Sequence, residues 1–242
     1  MRSPFSNPAR SRLSSYNASA VKTRYYVESD GRIFLVRREG ILDLPHASEI
    51  PFDVERVAPL RTSDPVWFCV PRLDAHPHEW PSKDDIPRLQ DATDLVHDAV
   101  HATMQRVVVE GVCLREGRIL LVKGNRGLTD GLWTLPGGFL RFGESPRAGV
   151  LRELREEVGV DGRVGELIDV RSKLGEHTRL HWIMLFYRVH IDGNPVANPD
   201  EIAEVRFVEL DQASTFVSDE AMCSAIEAIV SSARSSDLAQ NS

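Results

Sequence analysis

Cysteine is scarce in this sequence of 242 residues. Its three cysteines, Cys69, Cys113 and Cys223, are far apart and form no Cys-x-x-Cys pair, so neither a disulfide framework nor a zinc ribbon is expected. The sequence also has no run of about 18 apolar residues that could span a membrane, and its N-terminus lacks the apolar core of a secretory signal. We therefore expect a cytoplasmic protein that does not associate with membranes.

Positive charge is also in short supply, since 29 Lys and Arg stand against 36 Asp and Glu, for a net charge of −7. This balance argues against a general nucleic-acid or membrane-surface binder. An anionic substrate would have to be bound locally, by a metal ion and individual arginines. With 42% hydrophobic residues, the chain can form one large or two modest domains.

Changes in composition and periodicity along the chain predict four segments. The first is rich in Ser, Arg, Asn and Pro and has no periodicity, which is typical of a disordered tail. The second combines a hairpin at Asp30-Gly31 with an amphipathic helix from about Asp85 to Met104, and the third alternates strands with helices. The predicted apolar face of that helix consists of Leu89, Ala92, Val96, Ala99 and Val100. The predicted boundaries are 1–22 for the tail, 23–104 for a smaller α+β region, 105–235 for the main domain and 236–242 for a flexible C-terminus.

A short helix in the main domain has clear signals at both ends. Ser145 can accept hydrogen bonds from free backbone N–H groups, and Pro146 suits the first helical position. Gly159 can end the helix in the left-handed conformation without the penalty of a Cβ atom. The helix also has a narrow apolar stripe that predicts packing on a sheet, formed by Val150, Leu151, Leu154 and Val158.

Glu153, Glu156 and Glu157 cluster in another sector of the same helix. Carboxylates spaced i, i+3 and i+4 repel one another, so this face costs stability in isolation. A divalent cation would reverse the sign of that interaction, and hard oxygen donors select Mg²⁺, Mn²⁺ or Ca²⁺. On charge spacing alone, the alternative is a solvated acidic helix face.

The residues around the helix complete a longer pattern that resembles the Nudix box. A chance match of its seven fixed residues anywhere in the chain has a probability on the order of one in a million. The resemblance covers about residues 105–233. The matching positions are Gly138, Glu144, Arg152, Glu153, Leu154, Glu156, Glu157, Gly159 and Val160.

This resemblance implies an α/β fold, a Nudix α/β/α sandwich over a mixed sheet. It also implies hydrolysis of the pyrophosphate bond in a small-molecule nucleoside diphosphate linked to another moiety, with ADP-ribose or a similar nucleotide sugar favoured. Two alternatives stay open, a nucleotide-binding sensor with the Nudix fold and a nucleoside triphosphate or NADH pyrophosphatase. Nudix relatives with N-terminal extensions also suggest a homodimer, by analogy only.

The resemblance further implies roles for individual residues. Mg²⁺ or Mn²⁺ would be bound by the Gly137 carbonyl and by the carboxylates of Glu153, Glu156 and Glu157. Glu153 could alternatively be the general base, a role for which Glu201 in a later loop is the other candidate. Arg152 and Glu144 would orient Glu153, beside Gly138. Arg141 and Arg126 are candidate phosphate-binding residues.

The first hundred residues contain an echo of the main domain. Residues 30–37 match residues 116–123 at five of eight positions, and Leu44-Pro45 parallels Leu135-Pro136. The N-terminal region is therefore a candidate degenerate, partial copy of the Nudix sheet, in which His46-Ala47 replaces the two glycines of the box. The alternative is that two hairpins share a common β-pattern.

Overall fold

The computed structural model describes residues 23–175 and 179–240, with side chains as far as 231, so the predicted tail at 1–22 lies outside the described residues. The described residues group into two compact units. The first contains residues 23–104 together with 175 and 179–180, and the second contains residues 105–174 and 181–240. No described helix has both the length and the apolar character needed to cross a membrane.

The first unit contains a four-stranded sheet in the order β2-β1-β6-β5, a separate β3-β4 pair and one helix. Tyr26, Ile33 and Leu44 are fully buried in its core, against helix residues such as Val96 and Ala99. Its elements are β1 (Arg24–Ser29), β2 (Arg32–Phe34), β3 (Val36–Arg38), β4 (Ile41–Asp43), β5 (Val54–Pro59), β6 (Val66–Pro71) and α1 (Asp94–Thr103).

Helix α1 begins later than the sequence predicts. The expected start was near Asp85, but the structure has only a short 3-10 turn at Ile86–Arg88 before the helix proper at Asp94. Pairing with strand β4 explains the difference, because the Leu42 N–H donates to the Asp91 carbonyl at 2.7 Å and the Thr93 N–H donates to the Leu42 carbonyl at 2.9 Å. Backbone paired in this way is extended and cannot belong to the helix. The helix still buries its predicted apolar face, including Val96 and Val100.

The second unit has two four-stranded sheets, in the orders β11-β7-β13-β12 and β10-β9-β14 with β8 paired to β9. Strands β7 and β13 are parallel, and the β12-β13 pair is antiparallel. Its elements are β7 (Arg106–Val112), β8 (Leu114–Arg115), β9 (Arg118–Gly124), β10 (Trp133–Thr134), β11 (Gly137–Phe139), α2 (Pro146–Val158), β12 (Asp161–Leu174), β13 (His181–Asp192), β14 (Ile202–Glu209) and α3 (Glu220–Gln240).

Alternate residues of strand β7 face two different helices, which confirms the predicted α/β/α sandwich. Val109 and Cys113 belong to the core beneath α2, while Val108 and Val112 belong to the core beneath α3. A strand with both faces buried reads as a nearly continuous apolar run, and β7 follows that pattern except at Glu110.

The two units share the pairing of three strands in one sheet, while the edge strands differ, since β2 forms a hairpin with β1 and β11 reaches β7 from later in the chain. In the first, β1 runs parallel to β6, and β5 is antiparallel to β6. In the second, β7 runs parallel to β13, and β12 is antiparallel to β13. The β3-β4 pair likewise corresponds to the β9-β10 pair. The first unit has no counterpart of helix α2, because only residues 44–53 connect β4 to β5.

Individual hydrogen bonds support the same correspondence. The Tyr25 N–H donates to the Pro45 carbonyl at 3.0 Å, and the Gly111 N–H donates to the Pro136 carbonyl at 2.8 Å. The turns at residues 30–31 and 116–117 also share left-handed backbone angles, with φ of 51° and 70° in the first and 51° and 77° in the second. These matches favour the internal copy over a coincidental β-pattern.

Helix α2 is fixed to the sheet by its apolar stripe, which gives a direct test of the fold. Leu154 is fully buried, so we expect Leu154→Ala to lower the free energy of unfolding by about 2–5 kcal/mol, through lost transfer energy and the cavity it leaves. Urea unfolding followed by circular dichroism measures this change. Leu128→Ala, at a leucine that is 56% exposed, is the control, and equal effects of the two substitutions would contradict the packing described.

Candidate active site

The site is built where strand β11 meets helix α2. Ser145 begins the helix, as the sequence predicts, by accepting a hydrogen bond from the Ala148 N–H at 3.3 Å. Gly159 ends it in the left-handed conformation with φ of 66°. The length of the helix between these caps places its glutamates beside β11.

Two glycines of β11 allow backbone and carboxylates to come unusually close. A Cβ atom on Gly138 would lie 2.7 Å from Oε1 of Glu153, and one on Gly137 would lie 2.1 Å from the Val109 carbonyl oxygen. Real Cβ atoms essentially never approach this closely. Glycine is therefore required at position 137, where the clash is with backbone, while a side chain at position 138 would displace the Glu153 carboxylate.

The three helix carboxylates differ in exposure. Glu153 and Glu157 are each only 9% exposed, whereas the Glu156 side chain is 38% exposed. The Gly137 N–H donates to Oε2 of Glu157 at 2.9 Å. The structure thus brings together the four residues expected to bind a cation, with two of the carboxylates largely removed from water.

Arg152 is the cation that balances this group. Its Nη1 donates to Oε1 of Glu153 at 2.6 Å and to Oε2 of Glu156 at 2.9 Å. Its Nε donates to Oε1 of Glu144 at 2.8 Å, and its Nη2 donates to the Phe139 carbonyl at 2.9 Å. One guanidinium therefore ties the loop, the strand and the helix together.

These contacts shift the pKa values of the carboxylates in opposite directions. Hydrogen bonding to Arg152 is the main reason that the pKa of Glu144 falls to about 2. The pKa of Glu157 is raised to about 8, mainly by burial and also by the charges of Glu153, Glu201 and Glu156, against the hydrogen bond from Gly137. Burial also raises the pKa of Glu153, although Arg152 counters this.

Three further residues expected at the site lie at its edge. The Arg141 side chain donates to Oε1 of Glu156 at 2.8 Å. Arg126 forms an ion pair with Glu201, whose negative charge acts on both Glu153 and Glu157. Glu201 is therefore close enough to affect the buried carboxylates, and both candidate phosphate-binding arginines are paired with acidic side chains of the site.

The chemistry of these residues fits a hard divalent cation. The donors are carboxylate oxygens and a backbone carbonyl, the ligand types that Mg²⁺ and Mn²⁺ prefer. Within the described ranges, no three acidic, His or Cys side chains already converge on one metal position. Arg141 and Arg152 occupy the two oxygens of Glu156, so a cation would have to replace one of these arginines there, whereas Arg152 contacts only Oε1 of Glu153.

One buried carboxylate near the site was missed by the sequence reasoning. Glu110 pairs with Gly137 across the β7-β11 ladder and is only 7% exposed. Its signal in the sequence is a single acidic residue inside the apolar run from Val107 to Leu114. Such a residue is rarely buried without a reason.

Known proteins share this sequence pattern. The family model described as NUDIX domain matches residues 104–225. An ADP-ribose pyrophosphatase of Methanocaldococcus jannaschii is 32% identical over 104 residues, which cover 43% of this chain and 62% of that protein. A MutT-like protein of Streptomyces ambofaciens is 33% identical over 118 residues, which cover 48% of this chain and 72% of that protein.

Among solved structures, a MutT NUDIX hydrolase from Burkholderia pseudomallei is 29% identical, with a TM-score of 0.47. The match covers 52% of this chain and 98% of that one.

The raised pKa of Glu157 predicts how the metal-free protein responds to pH. An unfolded glutamate titrates near 4.5 and the folded one near 8, so between these values the folded state binds more protons. Raising the pH through this window should therefore destabilise the fold, by at most about 1.4 kcal/mol per pH unit for one proton. Thermal unfolding in EDTA at several pH values measures the slope.

Glu157→Gln is the matched control, because it keeps the shape of the side chain and removes the titrating group. We expect a flatter pH dependence in this variant than in the wild type. Equal slopes in the two proteins would contradict the assignment of the shift to Glu157.

Proposed function

Because the chain belongs to the Nudix family, we propose that it hydrolyses the pyrophosphate bond in a nucleoside diphosphate linked to another moiety. The observation that carries this proposal is the placement of Glu153 and Glu157 against the two glycines of β11, with Glu156 next to Glu157 on helix α2. Two of these carboxylates are buried, and burial raises the pKa of both. Such an arrangement is unfavourable in the metal-free protein and becomes favourable when a cation binds.

The Gly137 carbonyl and the three carboxylates would bind Mg²⁺ or Mn²⁺. When bound, such a cation neutralises phosphate charge and lowers the pKa of the attacking water. The protein's own contribution is to hold the donors in place. Gly138 leaves room for Glu153, and the Gly137 N–H fixes one oxygen of Glu157.

Arg152 acts as a positioning residue in this proposal. Its hydrogen bond to Glu153 favours the ionised form of that side chain against the effect of burial. Glu144 holds Arg152 from the other side by accepting two hydrogen bonds, from Nε at 2.8 Å and from Nη2 at 2.9 Å. Arg152 thereby limits how far burial raises the pKa of Glu153, which favours the carboxylate form that a metal ligand or a general base requires.

Glu201 is the second candidate base, supported by the effect of its charge on Glu153 and Glu157. Its pairing with Arg126 suggests an exchange when substrate binds, in which a phosphate group takes over the arginine. Arg141, paired with Glu156, could exchange in the same way. Arginine suits both roles because its planar guanidinium binds carboxylate and phosphate alike.

ADP-ribose or a similar nucleotide sugar is the favoured substrate. The support is the similarity to the ADP-ribose pyrophosphatase of Methanocaldococcus jannaschii, at 32% identity. A panel of nucleotide sugars, dinucleotides and nucleoside triphosphates, assayed with Mg²⁺ and with Mn²⁺ for product identity, tests this choice. AMP and ribose 5-phosphate from ADP-ribose are the expected products, while preferential turnover of a triphosphate or of NADH would favour the alternative.

We expect Glu157→Gln to lower turnover by at least about 100-fold, because it removes a charged donor from the cation site. Circular dichroism should show an unchanged fold, since glutamine can still accept the Gly137 hydrogen bond. Glu116→Gln, at a side chain that is 78% exposed, is the matched control and should keep full activity. Near-normal turnover in the Glu157 variant would reject the proposed site, and nucleotide binding without turnover in the wild type would favour a sensor.

We also propose that the protein works in the cytoplasm as a homodimer. Free Cys69, Cys113 and Cys223 suit a reducing compartment, and the homodimer rests on analogy with Nudix relatives that carry N-terminal extensions. Light scattering on the purified full chain should give twice the mass of one chain. A single-chain mass at micromolar concentration would reject the dimer.

A further inference from the structure

Glu110 is a buried carboxylate that the proposed mechanism does not use. It lies in the middle of strand β7 and is 7% exposed, between Val109, which is fully buried, and Gly111. None of the described residues donates a hydrogen bond to its carboxylate, and none forms an ion pair with it within 4 Å. Burying a charge in this way is costly unless something else compensates for it.

The carboxylate points toward the proposed cation site. Glu110 faces Gly137 across the ladder, and its Oε2 lies 2.6 Å from the position that a Gly137 Cβ would take. The N–H of the same glycine donates to Glu157 at 2.9 Å. Both carboxylates therefore lie against Gly137, which has no side chain to separate them.

The charged groups that act on Glu110 also belong to the proposed cation site or lie next to it. After burial, the charge of Glu157 is the largest influence raising the pKa of Glu110. Glu153 acts in the same direction, and Lys173 opposes them. Lys173 is itself held in an ion pair with Asp219, so its positive charge is already shared. The negative charge at Glu110 is left without a dedicated partner in the described part of the chain.

In the first unit, the residue at the position of Glu110 is paired with a side chain of opposite charge. The match of Tyr25 with Gly111 aligns Arg24 with Glu110. Arg24 lies 3.3 Å from Asp43 and donates to the Leu44 carbonyl at 3.1 Å. The second unit has Glu110 at the position of Arg24. Its nearby charge is the acidic Glu157, whereas the charge next to Arg24 has the opposite sign.

We propose that Glu110 is an additional carboxylate ligand of the divalent cation site, reaching it from strand β7 past Gly137. This inference rests on the proposed function, because it requires the cation that the function invokes. It adds a ligand from the central sheet to those from helix α2. The bound cation would then supply the positive charge that Glu110 lacks.

Direct binding of Mn²⁺ tests the inference without any assay of activity. Electron paramagnetic resonance of free Mn²⁺, titrated with the full chain, gives the dissociation constant. We expect Glu110→Gln to weaken binding about tenfold or more, the range found when groups that support metal ligands are removed. Glu110→Asp, which keeps the charge but shortens the side chain, should bind Mn²⁺ more weakly than the wild type and more tightly than Glu110→Gln.

Stability of the metal-free protein separates this role from a structural one. Glutamine keeps the shape of the side chain and replaces a buried carboxyl group that has no hydrogen-bond or ion-pair partner among the described residues, so Glu110→Gln should unfold at the wild-type temperature or above it in EDTA. Glu116→Gln, the exposed control, should match the wild type in both measurements. A Glu110→Gln protein that loses stability in EDTA would assign Glu110 a structural role and overturn the inference.

Glu157→Gln, measured in parallel, separates a failure of the Glu110 proposal from a failure of the proposed cation site. Weak Mn²⁺ binding in the Glu157 variant together with wild-type binding in Glu110→Gln would overturn the role of Glu110 alone. Wild-type binding in both variants would remove the cation site, and with it the proposed function. Weak binding in both variants supports the inference.

Discussion

Negative charge held out of water beside Gly137 and Gly138 is the constraint on which the site depends. The two glycines permit the approach, since any Cβ there would collide with a glutamate oxygen or with the neighbouring strand. Arg152 offsets part of the repulsion by contacting Glu144, Glu153 and Glu156 together. The loop, strand β11 and helix α2 are thus held together by the Arg152 guanidinium, which contacts more carboxyl groups than its single positive charge can balance.

The apolar face of helix α2 allows this excess charge to persist. Val150, Leu154 and Val158 are fully buried, and burial of such side chains contributes about 1.5–3 kcal/mol each. Repulsion between like charges costs tenths of a kcal/mol per exposed pair and more when the pair is buried. The packing can therefore hold the carboxylates together, and the residual strain is what a cation would relieve.

The sequence predicts the parts of the site that are local along the chain. The helix ends at Ser145 and Gly159 and the grouping of the glutamates depend on residues a few positions apart, so periodicity and capping suffice. The pairing of Arg126 with Glu201 joins residues 75 positions apart and depends on how β9 and β14 meet. Glu110 was missed for the same reason, because only strand pairing places it opposite Gly137. The predicted start of α1 is wrong for the same kind of reason, because residues 91–93 pair with Leu42 of β4, a contact between distant segments that local periodicity does not reveal.

The two units show what the box adds to a common sheet. In the first, Arg38 of β3 is held by Asp43 of β4 and by Glu49. Glu49 lies in the short connection that replaces the box, where it also accepts from the His46 N–H at 2.7 Å. Charges there are paired within the unit, which leaves little reason for a cation to bind. In the second unit, the longer connection contains helix α2, whose glutamates outnumber their basic partners. Similar strand pairing therefore supports paired charges in the first unit and an excess of negative charge in the second. The difference lies in the segment that connects the strands, because only the second unit has helix α2 there.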